Sequence, residues 1–125
     1  HMLKTLTLLK RRPGLSVAEF RAYYESRHVL LGLKYTQPEA LRYTRRYLST
    51  LEDDQDSAPS FDVAMELWFA DRPALDRVMQ RLQRPDIAAE IAADEEAFFD
   101  RAQTRFMIVD EEVDSIGSAA MNGRD

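Results

Sequence analysis

Two stretches with the period of a strand, Ala40 to Ser49 and Phe61 to Phe69, follow one another across one polar loop, and each is flanked on its outer side by a segment of helical period. In the first, Leu41, Tyr43, Arg45 and Tyr47 alternate with Arg42, Thr44, Arg46 and Leu48. In the second, Phe61, Val63, Met65, Leu67 and Phe69 alternate with Asp62, Ala64, Glu66 and Trp68. Successive side chains of a strand point to opposite faces, so each stretch is a strand with two distinct faces, and the link between them favours antiparallel pairing. Glu66 in mid-strand, beside a strand carrying Arg42 and Arg46, reads as one half of a structural ion pair.

The remaining elements are placed by their stop and start signals. Leu3 to Lys10 is a short apolar, Thr-rich strand that ends at the turn signal Arg11-Arg12-Pro13-Gly14. Ser16 precedes Glu19 by three residues, the spacing at which each side chain satisfies the other's backbone N–H at a helix start. From there Val17, Phe20, Tyr24, His28 and Leu31 form one inward stripe, and Gly32 with the later Pro38 ends the helix. Asp71-Arg72-Pro73 opens a second helix with the stripe Leu75, Val78, Met79 and Leu82. Arg84-Pro85-Asp86 breaks it, and helix resumes over Ile87 to Arg101, with Ile87, Ile91, Asp94 or Glu95, and Phe98 on one side. Thr104 to Glu112 holds the last strand, Arg105-Phe106-Met107-Ile108-Val109, and 113–125 is a polar, small-residue tail.

The order strand, helix, strand, strand, helix, strand predicts an α+β domain over residues 3–112: a ferredoxin-like βαββαβ antiparallel sheet with its helices on one face. Both sides of the strands carry apolar or aromatic residues. The uncovered face therefore favours burial against a second copy of the chain, a homodimer.

Composition excludes several functions. There is no cysteine, hence no disulfide, thiolate nucleophile or Cys-based metal site. Net charge is −5 with the basic residues scattered among acidic ones, so nucleic acid is not an expected partner. No apolar run approaches the roughly 20 residues of a membrane span and no signal peptide is visible, so a cytoplasmic protein without a membrane partner is expected. The acidic run Glu52-Asp53-Asp54-Gln55-Asp56 lacks the glycine and spaced acceptors of a calcium loop and reads as a solvated loop. His1-Met2 resembles a cloning-site remnant, which leaves His28 as the one histidine to consider.

Imidazole titrates near neutrality and transfers protons without a cofactor, so His28 is the first candidate for a catalytic residue; the plain alternative is a helix-end histidine bound to a carbonyl or carboxylate. Tyr24 shares its stripe at an i, i+4 step and is preferred to Tyr23 as a pocket residue. Asp94 interrupts an Ala- and Ile-rich helix, and in reach of imidazole it would fix the tautomer and raise basicity; otherwise it is one more surface charge beside Glu95 and Glu96. Lys10, Arg11 and Arg12 suit either a pocket mouth that attracts anions or a solvated turn. One histidine without cysteine gives no metal cluster, although a lone histidine is enough to hold haem.

Lys10-Arg11-Arg12-Pro13-Gly14-Leu15-Ser16, followed by Glu19-Phe20, Tyr23-Tyr24 and His28, resembles the N-terminal signature of the EthD family of dimeric α+β barrel proteins. Asp94-Glu95-Glu96-Ala97-Phe98-Phe99-Asp100, ahead of a last strand ending in Glu111-Glu112, is similar to that family's C-terminal half. The resemblance implies a homodimer in which two four-stranded sheets pack face to face, with a pocket in each subunit between sheet and helices. It implies no single reaction. The leading expectation is a lyase, isomerase or cyclase that needs no cofactor and acts on a small apolar carbonyl or aromatic polyketide-like compound. His28, Tyr24 and Asp94 are its catalytic residues, and Tyr23, Met65, Trp68, Phe98 and Met107 its substrate pocket. A non-catalytic small-molecule-binding accessory protein, and a cofactor-free or haem-dependent oxygenase, stay as alternatives.

Overall fold

Strands β1 (Leu3–Leu9), β2 (Ala40–Tyr47), β3 (Val63–Phe69) and β4 (Arg105–Val109) form one sheet in the order β2-β3-β1-β4, with every neighbouring pair antiparallel. This computed structural model describes residues 2–51 and 58–117; His1, the acidic run 52–56 and the tail beyond Gly117 lie outside the described residues. Register sorts the side chains. Thr5 stands opposite Leu67 and Ile108, and Thr7 opposite Met65 and Phe106, so these residues share the face that meets the helices. Leu6 stands opposite Glu66 and Met107, and Lys4 opposite Trp68 and Val109, on the outer face. There Arg46 lies 3.9 Å from Glu66, the ion pair expected from the strand pattern, and the Trp68 indole N–H donates to Glu66 at 2.7 Å.

The first helical run is longer than the stop signals suggest. It comprises α1 (Val17–Tyr23), a π-helical turn (Tyr24–His28) and α2 (Val29–Thr36) in direct succession. The Ser16–Glu19 capping box closes in both directions. Val17, the first helical residue, is exposed, and the buried stripe begins at Phe20. Gly32 does not stop the helix: glycine in a helix costs about 1 kcal/mol, which tertiary contacts override. A Cβ here would stand 3.5 Å from the Tyr43 ring, an ordinary contact, so α2 packs against β2 at this point without a glycine being required. The stop comes at Gln37, which is extended (ψ 153°) because the following Pro38 disfavours helical backbone before it.

α3 (Arg72–Leu82) is capped by Asp71, whose carboxylate accepts the Ala74 N–H at 2.9 Å. Pro85 then starts a separate helix, α4 (Pro85–Glu96). It ends five residues before the expected Arg101, because Phe98 and Phe99 turn into the core and the chain is fastened to the first turn. The Arg12 N–H donates to the Phe98 carbonyl and the Asp100 N–H to that of Lys10. That turn uses Gly14 at φ +87°, left-handed backbone that glycine adopts at no steric cost. Lys10 donates to the Pro59 carbonyl, Arg12 to that of Ala97, and the Arg11 N–H to Asp62 at 2.7 Å. The basic triplet ties loops together.

The core falls into two clusters. Leu9, Phe20, Tyr24, Val29, Val63, Phe98 and Phe99 fill one end, and Leu67, Phe69, Ala74, Leu75 and Val78 the other. Each large apolar side chain buried there contributes on the order of 2 kcal/mol. Between the clusters the packing opens.

Candidate active site

His28 is the last residue of the π-helical turn, and 8% of its surface remains exposed. A π turn is looser than an α turn and commonly marks a functional position. The imidazole Nδ1 lies 2.5 Å from Asp94 Oδ2, and the Tyr23 hydroxyl donates to Asp94 Oδ1 at 3.0 Å. Asp94 reaches both because α4 runs alongside the first helix. Rings enclose the imidazole: Phe98 at 5.0 Å, Phe99 at 5.3 Å, and Tyr24 edge-on at 5.0 Å between centroids. A carboxylate on Nδ1 selects the tautomer that carries its proton there, which leaves the Nε2 lone pair for a ligand.

His28 is also part of the wall of a cavity of about 230 Å³ between the sheet and α2, α3 and α4. Thr5, Thr7, Met65 and Phe106 come from the sheet, and Leu31, Tyr35, Met79 and Ile91 from the helices. The lining is mostly apolar, and no Lys or Arg stands among the described residues that form it. Glu95 is in the wall too. Burial raises its carboxyl above the usual carboxylate range, opposed by the charge of His28 and by a hydrogen bond from Arg101 at 3.2 Å. The α4 period that offered Asp94 or Glu95 as the inward residue brings both to the site.

The structure redistributes the expected site residues. Asp94 joins His28, and Met65 lines the cavity. Tyr24 does not line it: its ring is wholly buried in the first core cluster and its hydroxyl accepts from Tyr43 at 3.3 Å. Burial pushes the phenols of Tyr24 and Tyr43 up, so both stay protonated. Tyr23 reaches Asp94 from the far side, in a surface groove with Arg27, Leu30, Lys34 and Glu90, and its phenol is raised by burial and then by Asp94. Phe98 backs His28 without entering the cavity. Trp68 and Met107 are corrected outright, because register puts both on the outer sheet face. The pairing that excludes Met107 brings Phe106 to the cavity side opposite Thr7.

A family model described as EthD domain matches residues 12–102. A comparison with curated protein sequences gives no match. Solved structures share the fold at low identity. An EthD family protein from Bacillus halodurans is 19% identical with a TM-score of 0.62, covering 90% of this chain and 100% of that one. The cofactor-independent oxygenase SnoaB from Streptomyces nogalater is 13% identical with a TM-score of 0.55, covering 90% and 95%. A dimeric protein of unknown function with a ferredoxin-like fold, from Bacteroides fragilis, is 16% identical with a TM-score of 0.51, covering 90% and 96%.

Proposed function

The chain belongs to the EthD domain family, and from that premise we propose that it is a cofactor-independent enzyme of the lyase, isomerase or cyclase type. In this reading His28 moves a proton to or from a small apolar carbonyl or aromatic, polyketide-like compound. One observation carries it: a histidine with a carboxylate on Nδ1 stands in the wall of an apolar cavity. Nε2 takes the proton next to the substrate carbonyl, Asp94 stabilises the imidazolium that forms, and the imidazolium returns the proton to the rearranged product. An apolar wall without cations selects an uncharged ligand, and about 230 Å³ suits a compound of one or two rings.

The relative described as a cofactor-independent oxygenase supports catalysis without a bound group on this fold. It also favours a second reading, in which the same base takes the proton of an electron-rich phenol, the ring carbon of the resulting phenolate gives its electrons to dioxygen to form a C–O bond, and the imidazolium protonates the peroxide. Consumption of dissolved oxygen separates the two. The working unit in either reading is a homodimer closed through the outer sheet face, supported by the dimeric relative and by half-exposed Leu6, Leu8 and Trp68 on that face.

Deuterium exchange at the α-carbons of 2-tetralone, followed by NMR in D2O, tests the proton transfer. The protein is expected to accelerate exchange over buffer, and His28→Ala to lower the acceleration ~100-fold or more while remaining folded. Equal exchange by the two proteins would overturn the assignment.

A further inference from the structure

We propose that Tyr23 is a positioning residue: from outside the cavity its hydroxyl takes up part of the charge of Asp94 and so sets the basicity of His28. Each Asp94 oxygen has its own partner, Oδ1 the Tyr23 hydroxyl at 3.0 Å and Oδ2 the imidazole Nδ1 at 2.5 Å. Both Asp94 and His28 are largely withdrawn from water, with 13% and 10% of their side chains exposed. In such surroundings a carboxylate divides its charge between donors, and a bond to one weakens its pull on the other. Tyr23 is built to stay in place. Its ring packs against Phe98, tilted by 37° at 4.6 Å between centroids, and the Arg27 guanidinium lies 5.8 Å above it. It lines the surface groove and not the cavity, so it acts on a ligand only through Asp94 and His28.

The other groups around the imidazole leave this division to Tyr23. Glu95 on α4 is committed to Arg101, and Tyr24 on the π-helical turn and Tyr43 on β2 are bonded to each other. Removing the Tyr23 hydroxyl concentrates the Asp94 charge on the imidazolium and favours it; a more acidic phenol does the reverse. The effect on turnover rests on the reading of His28 as the proton-transfer residue, whereas the effect on its titration does not.

NMR titration of the His28 ring protons in the full chain, with the signal identified by its loss in His28→Gln, reads the effect without a substrate. Tyr23→Phe keeps the ring and is expected to raise the His28 midpoint by about 0.5 pH units. Replacing Tyr23 with 3-fluorotyrosine, which keeps both ring and hydroxyl, is expected to lower it. In an Asp94→Asn background both shifts should vanish, since the carboxylate is the intermediary. A midpoint that stays or falls in Tyr23→Phe, that rises with fluorotyrosine, or that still shifts without Asp94 overturns the proposal. In 2-tetralone exchange the acid limb of the pH profile should move with the midpoint. The ordered midpoints without any exchange activity would sink the proton-transfer reading and leave the role of Tyr23 intact.

Discussion

At the scale of single residues, position on the helix decides which tyrosine serves the histidine. Tyr24 shares the His28 stripe, and that same sharing buries it among Phe20, Phe98 and Phe99. Tyr23, one step around the helix, faces α4 and meets Asp94. A sequence stripe reports which residues point inward; it is silent on which neighbouring helix stands beside them, so Asp94 was legible as a partner and Tyr23 was not. Glu25, on the π-helical turn itself, shows how firmly this segment is held to the sheet. It accepts two hydrogen bonds from Arg45 at 2.8 Å and one from Tyr47 at 2.5 Å, and the Arg45 bonds lead in lowering its carboxyl to about 2. The folded value lies below the unfolded one, so the stabilisation is complete above roughly pH 5 and is lost as the pH falls toward 2. Glu25 is partly exposed, which limits the gain to about 1 kcal/mol. Urea unfolding of Glu25→Gln should therefore show a deficit of that size at pH 7 that shrinks by pH 2.5; a deficit independent of pH would assign the effect to packing.

At the scale of elements, the strand alternation was a sound guide to faces, and parity alone separates two of the expected pocket residues. Met65 and Trp68 are an odd number of positions apart on one regular strand and so cannot share a face. For Met107 no such argument existed, because the face of β4 depends on its register against β1, where Thr7 meets Phe106. Gly32 is the converse case. Read as a stop, it turns out to be a helical residue in the cavity wall, and its fit against Tyr43 depends on a contact between elements far apart in sequence. Because a Cβ there would make an ordinary contact at 3.5 Å, Gly32→Ala should restore helix propensity without a clash. A gain of about 0.5–1 kcal/mol is expected, visible as a Tm raised by ~2–5 °C. A lower Tm would mean that Tyr43 cannot tolerate the added methyl.

At the scale of the whole molecule, the two faces of the sheet have separate tasks. One meets the helices and contains the cavity, while the other carries Leu6, Leu8, Trp68 and Met107 among charged neighbours, with Lys4 and Arg42 lying over the Trp68 ring at 4.2 and 4.8 Å. Apolar residues on both sides of β1, β3 and β4 were the sequence signal that the outer face favours burial; the chemistry of the cavity was legible only in outline, since its walls come from all four strands and from the helices, whose mutual placement no local pattern encodes. If the outer face joins two copies, a charge at its edge should part them. Met107 lies on the outer face of edge strand β4 and is 39% exposed in the single chain, so Met107→Asp leaves the fold of one subunit little disturbed. In a two-fold interface, however, it buries an unpaired carboxylate in each copy. Sedimentation at micromolar concentration should then give a monomer in place of a dimer, and the His28 titration should be unaltered because the site lies across the sheet. A variant that remains dimeric would move the interface to another surface of the molecule.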